Sequence, residues 1–102
     1  MKYYLCRYIP PRADFLATMS ADEKVWMKQH GEFLDDLLEK GQIVAHGPVM
    51  DPSGGYGLSL YQIADDLDIA AITSKDPIIK NGAGHYEHHP MLHVKARAVN
   101  AI

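Results

Sequence analysis

Residues 20–48, SADEKVWMKQHGEFLDDLLEKGQIVAHGP, decide the fold. Ser20 with Glu23 three positions on is a capping box, and it starts an amphipathic helix predicted over Ala21–Lys40. Asp22 and Glu23 at its front and Lys40 near its end suit the helix dipole. Val25, Met27, Phe33, Leu34, Leu37 and Leu38 are its candidate inward residues, and His30 falls inside the stripe Met27–His30–Leu34–Leu37. Gly41 stops the helix, and Ile43-Val44-Ala45 leads into His46-Gly47-Pro48. An imidazole turned inward needs partners for its ring nitrogens. A backbone carbonyl or a water satisfies it if the residue is structural, and a carboxylate if it handles protons.

Outward from this stretch, Lys2–Ile9 (KYYLCRYI) reads as a first strand closed by Pro10-Pro11. Alternation puts Tyr3, Leu5, Arg7 and Ile9 on one face and Tyr4, Cys6 and Tyr8 on the other, so both faces are largely apolar. Residues 10–19 form a loop or short turn. Gln42–Met50 is a second strand, Asp51-Pro52-Ser53-Gly54-Gly55 a turn, and Tyr56–Ile63 a third strand, making an antiparallel hairpin. A second helix is predicted over Ala64–Thr73, followed by a helical turn from Asp76, its N-cap, and Pro77. His85–His89 is a fourth strand broken or bent by Pro90, and Met91–Ile102 an extended tail.

Strand, helix, strand, strand, helix, strand is the split βαβ, or ferredoxin-like, order of an α+β domain. Its antiparallel sheet carries both helices on one face, and the apolar second face calls for a second subunit packed sheet to sheet. A single domain spanning residues 1–102, with its tail from about 95, and a homodimer, alone or within a higher oligomer, are the expected organisation.

The 102 residues carry a net charge of −3, with scattered basic residues, so nucleic acid is not an expected partner. No apolar leader or membrane-length run occurs, which makes the cytoplasm the expected compartment. The single cysteine, Cys6, reads as a small core residue. His85, His88, His89 and His93 invite a metal reading, but in extended chain His85 and His89 stand about 13 Å apart. Solvent-facing or interface positions account for them better, so no metal and no cofactor are expected. Phosphate loops, dinucleotide fingerprints, serine elbows and paired Cys-x-x-Cys are absent. The Gly54-Gly55-Tyr56-Gly57 run is better explained by a bulged hairpin than by a ligand-cradling loop.

What remains is His30 and Asp76. A carboxylate orienting an inward imidazole makes a general acid/base pair, and both helices of a split βαβ fold cover the same face. Asp76 is equally well explained as a helix cap ahead of Pro77.

The ordered set MKQHGEFLDDLLEKG around His30, GQIVAHGPVMD over residues 41–51, the strand Gly57–Ile63, and Asp76-Pro77 with Gly82 resembles the YCII-related family along nearly the whole chain. That resemblance implies a dimeric α+β barrel and an active-site dyad of a helix histidine and an aspartate. His30 matches the histidine; the aspartate carries over to Asp76, with Asp51 as a neighbouring candidate. One branch of the family resembles chloromuconolactone dehalogenases, and the wider superfamily includes muconolactone isomerases and cofactor-free monooxygenases. Trp26 stands where an arginine often precedes the histidine by four residues, which weakens the case for an anion held by a guanidinium. The resulting expectation is a proton-transferring isomerase or lyase acting on a small organic acid, lactone or ketone. His30 and Asp76 would be catalytic, and Gly47, Pro48, Asp51, Ser59 and Trp26 would contact substrate. A binding module using the same cleft without turnover and a purely structural dimer are the alternatives.

Overall fold

The computed structural model describes residues 1–98. Its elements are β1 (Lys2–Ile9), α1 (Phe15–Thr18), α2 (Ala21–Glu39), β2 (Ile43–Val49), β3 (Tyr56–Ile63), α3 (Ile69–Thr73), α4 (Pro77–Lys80) and β4 (His85–Met91). The strands form one antiparallel sheet in the order β2-β3-β1-β4. That is the ferredoxin-like arrangement. Cys6 and Tyr8 of β1 and Ser59, Tyr61 and Ile63 of β3 are buried on the helix side. Alternation sends Leu5, Arg7, Leu58 and Leu60 to the opposite side, where they stay half-buried.

Both halves of the capping box form: Glu23 N–H donates to Ser20 Oγ at 3.1 Å, and Ser20 N–H to Glu23 Oε1 at 2.9 Å. Such a cap contributes about 1 kcal/mol. The helix then runs to Glu39, and Gly41, at φ +83°, takes the left-handed conformation that ends it. Leu34 and Leu37 enter one core with Cys6, Ile43, Tyr61, Ile63 and Ile69; Trp26 and Met27 flank a second built on Tyr8, Phe15, Ile78 and Ala83. Fully burying a side chain such as Ile63 or Ile78 is worth about 1.5–3 kcal/mol. His30 lies between the two cores on the same helical stripe, and Tyr86 packs against both. Burial pushes the Cys6 thiol up to about 12, which leaves it inert at neutral pH.

Several expectations need correction. Val25 and Leu38 lie on the solvent side of α2, because the stripe that reaches the sheet is narrower than the apolar pattern suggested. Only Ile69–Thr73 of the predicted second helix is helical; Asp68 caps it by accepting from Ala70 N–H at 3.3 Å, and residues 64–68 form the approach. A short helix, α1, occupies part of the predicted loop. The fourth strand continues through Pro90 to Met91, since β4 is an edge strand and loses no inner ladder bond to proline. Residues 92–98 of the predicted tail carry no regular element, and the last four lie outside the described residues. Among the described residues no helix is long and apolar enough to cross a membrane.

Gly84 joins the fourth strand to the site. Its φ of +105° suits glycine, and a Cβ there would stand 2.4 Å from the Ile9 carbonyl oxygen. The close approach lets Ala83 present its carbonyl to the Tyr8 hydroxyl, which donates to it at 2.5 Å.

Candidate functional site

α4 docks on α2, and that contact brings Asp76 to His30. Asp76 caps α4: its Oδ1 accepts from the Ile78 N–H at 3.1 Å. Its Oδ2 accepts from Nδ1 of His30 at 2.6 Å and from the Tyr86 hydroxyl at 2.7 Å. Helix cap and imidazole partner are thus one residue, with one oxygen serving each role. The carboxylate is completely buried and keeps three donors. A nitrogen facing a carboxylate this closely is the donor, so the proton of the neutral His30 ring sits on Nδ1. Nε2 carries the lone pair and has no hydrogen-bond partner among the described residues.

The ring is not sealed in. His30 keeps 6 % of its surface and lines a cavity of about 430 Å³ between α2, α1 and the helix-facing side of the sheet. That volume suits a small molecule. Met27, Leu34, Phe15, Leu16 and Val49 supply much of an apolar wall. Tyr8 lies beside His30 with ring centroids 4.8 Å apart, and Tyr86 stands at 6.5 Å. Burial, reinforced by the charge of Asp76, pushes both phenols well above the ordinary tyrosine range. Each therefore keeps its proton, Tyr86 donating to Asp76 and Tyr8 to the Ala83 carbonyl.

Arg12 fastens the α1 side of the cavity. Its guanidinium donates to both carboxylate oxygens of Glu23, at 2.7 and 2.9 Å, and to the Thr18 carbonyl at 2.7 Å. The loop before α1, the end of α1 and the first turn of α2 are tied at one point.

Gly47, Pro48 and Ser59 line the cavity with His30, and Asp76 stands behind the imidazole. Trp26 and Asp51 are elsewhere. Trp26 packs against the core around Tyr8 and Phe15, and exposed Asp51 closes its turn by accepting from Ser53 N–H and Oγ at 2.9 and 2.7 Å. Neither lines the pocket. A Cβ at Gly47 would meet no atom within 4 Å, so chain packing does not require glycine there. Sequence reasoning passed over Tyr86 and His46, both on the cavity wall. Neither carried a sequence signal beyond an inward ring on a strand, which reads as core. Among the described residues no group of three or more His, Cys, Asp or Glu side chains could hold a metal ion.

The sheet, with its helices on one face and a pocket beneath the long helix, gives the chain a ferredoxin-like α+β fold. The chain belongs to the YCII-related domain family, which it matches over residues 1–95. No curated protein matches the sequence significantly. Among solved structures it is similar to 5-chloro-2-hydroxyhydroquinone dehydrochlorinase from Burkholderia phenoliruptrix AC1100, in complex with 2,5-dihydroxybenzoquinone. The TM-score is 0.58 at 15 % identity, over 89 % of this chain and 95 % of that one. A formyltetrahydrofolate deformylase from Pseudomonas putida KT2440 matches at a TM-score of 0.45 and 12 % identity, over 91 % of this chain and 30 % of that one.

Proposed function

We propose that the protein is an enzyme in which His30, oriented by Asp76, moves a proton on a small organic acid, lactone or ketone. The observation that carries this reading is the 2.6 Å contact between a buried carboxylate and an imidazole whose other nitrogen is unpartnered on an apolar cavity wall. Nε2 accepts a proton from an acidified carbon or hydroxyl of the substrate. Asp76 stabilises the imidazolium so formed and holds its plane. Returning the proton elsewhere on the molecule gives an isomerisation; loss of a leaving group gives an elimination. Neither needs a metal or a nucleotide. The dehydrochlorinase of similar fold is named for an elimination, which agrees with the second outcome.

The same reading includes a homodimer. Leu5, Leu58 and Leu60 lie on the sheet face away from the helices, where Arg7 stacks 4.1 Å from the Tyr56 ring centroid and pairs with Glu87 at 3.3 Å. A second copy covers such a surface sheet to sheet. Sedimentation equilibrium checks it: wild type is expected as a dimer, and Leu58→Asp with Leu60→Asp as a monomer.

Proton NMR in D₂O tests the chemistry on butenolides, hydroxy ketones and small unsaturated acids, following exchange at carbon and double-bond migration. Turnover of one class is expected, with His30→Gln and Asp76→Asn each losing about 100-fold or more. Turnover that survives His30→Gln at the wild-type rate overturns the proposal. A protein that binds these compounds and leaves every carbon–hydrogen bond intact is a binding module instead.

A further inference from the structure

The cavity has a second imidazole. His46 pairs with Ser59 across β2 and β3, and that register turns its side chain to the helix-facing side of the sheet. There its Nε2 lies 2.8 Å from Oδ1 of Asp35 on α2. A carboxylate only accepts, so Nε2 carries the proton of the neutral ring and Nδ1 carries a lone pair. Nδ1 has no hydrogen-bond partner among the described residues. Asp35 keeps 71 % of its side-chain surface, so the pair adds little to stability; its effect is to set which nitrogen is bare.

We propose that His46 is a ligand-binding residue of this cavity. Its occupant is a compact molecule with two hydroxyl groups, one received by Nε2 of His30 and the other by Nδ1 of His46. The inference rests on the cavity being the functional site, as above, and narrows its ligand class to hydroxylated lactones or ketones, setting the acid aside. Both bare nitrogens are acceptors, one on the helix side and one on the sheet side. The two phenols beside His30 are already committed, Tyr8 to Ala83 and Tyr86 to Asp76. An occupant offering two O–H donors satisfies both rings, whereas an acid anion brings only acceptors. Asp14, also on the wall, disfavours an anion further, and among the described residues no arginine lines the cavity.

Benzenediols are the simplest rigid probes of two hydroxyls at fixed spacings. Catechol, resorcinol and hydroquinone, each with its mono- and dimethyl ether, are titrated anaerobically into the full-length protein labelled with ¹⁵N-histidine. At least one diol is expected to shift the ring nitrogens of both His30 and His46, and to bind at least tenfold more tightly than its monomethyl ether. His46→Phe should lower the diol to the affinity of the monoether and leave the monoether unchanged. Asp35→Ala, at an exposed position that does not threaten folding, should weaken the diol several-fold. A response of His30 without one of His46, or a diol affinity indifferent to His46→Phe and Asp35→Ala, overturns this inference and leaves the proton-transfer reading standing. Silence of both rings towards every diol, or preferential binding of benzoate, also overturns it. Survival of turnover in His30→Gln would sink the functional reading whatever His46 does.

Discussion

Nδ1 of His30 and Oδ2 of Asp76 stand 2.6 Å apart although 46 positions separate them in sequence, and the carboxylate is wholly shielded from solvent. Because Asp76 also receives Tyr86 and caps α4, removing it orphans three donors at once. Asp76→Ala is expected to cost about 3–5 kcal/mol in urea unfolding. His30→Ala leaves the carboxylate with two of its three donors and should cost less. The reverse order would show that the imidazole, not the carboxylate, holds this corner together.

Tyr86→Phe deletes one donor and little volume. A hydrogen bond to a charged acceptor is worth about 1.5–3 kcal/mol, and that loss is expected in the same assay. Activity should fall with it, because Asp76 loses one of the two contacts that hold Oδ2.

Alkaline pH should destabilise the fold. Burial raises the folded-state values of Tyr8, Tyr61 and Tyr86 above that of an unfolded tyrosine, near 10. Their contribution is fully present below about pH 10 and is lost as pH rises above it, because the unfolded chain releases its protons first. Urea midpoints measured from pH 8 to 11.5 should be level and then fall. A midpoint that stays level through pH 11.5 would contradict the burial assigned to these phenols.

At the acid end, the hydrogen bonds from Arg12, with that from the Ser20 backbone, hold Glu23 down to about 2. Its support for the start of α2 is present above about pH 4.3, the unfolded carboxyl range, and is lost as pH falls through about 2. Carboxyl NMR should follow this titration directly. Arg12→Ala should move it towards the ordinary range and quicken amide exchange in residues 13–18. An unchanged Glu23 titration in that variant would exclude the guanidinium as the cause.

Much of the architecture was legible because local signals agreed: Ser20 with Glu23, Gly41, the turn at residues 51–55, and the alternation of β1 and β3. Misreadings came where tertiary context decides. Pro90 breaks an inner strand but not an edge one, and the apolar pattern of residues 64–73 does not reveal that the chain becomes helical only after Asp68. His30 and Asp76 each stood out for a local reason, an imidazole in a core stripe and an acid before proline. Their meeting depends on how α4 docks on α2, which no spacing encodes. His46 and Tyr86 sit on strands where an inward ring reads as core, and Asp35 lies on a different element from the histidine it orients.

The hairpin of β2 and β3 supplies Gly47, Pro48, Val49 and Ser59 to the cavity, while His30 and Asp76 belong to α2 and the cap of α4. One strand pair thus contributes wall without contributing either member of the His30–Asp76 pair. On the proposed reading, exchanging a few hairpin residues would retune which molecules enter and leave the His30–Asp76 pair intact, so selectivity could drift while the chemistry stays fixed.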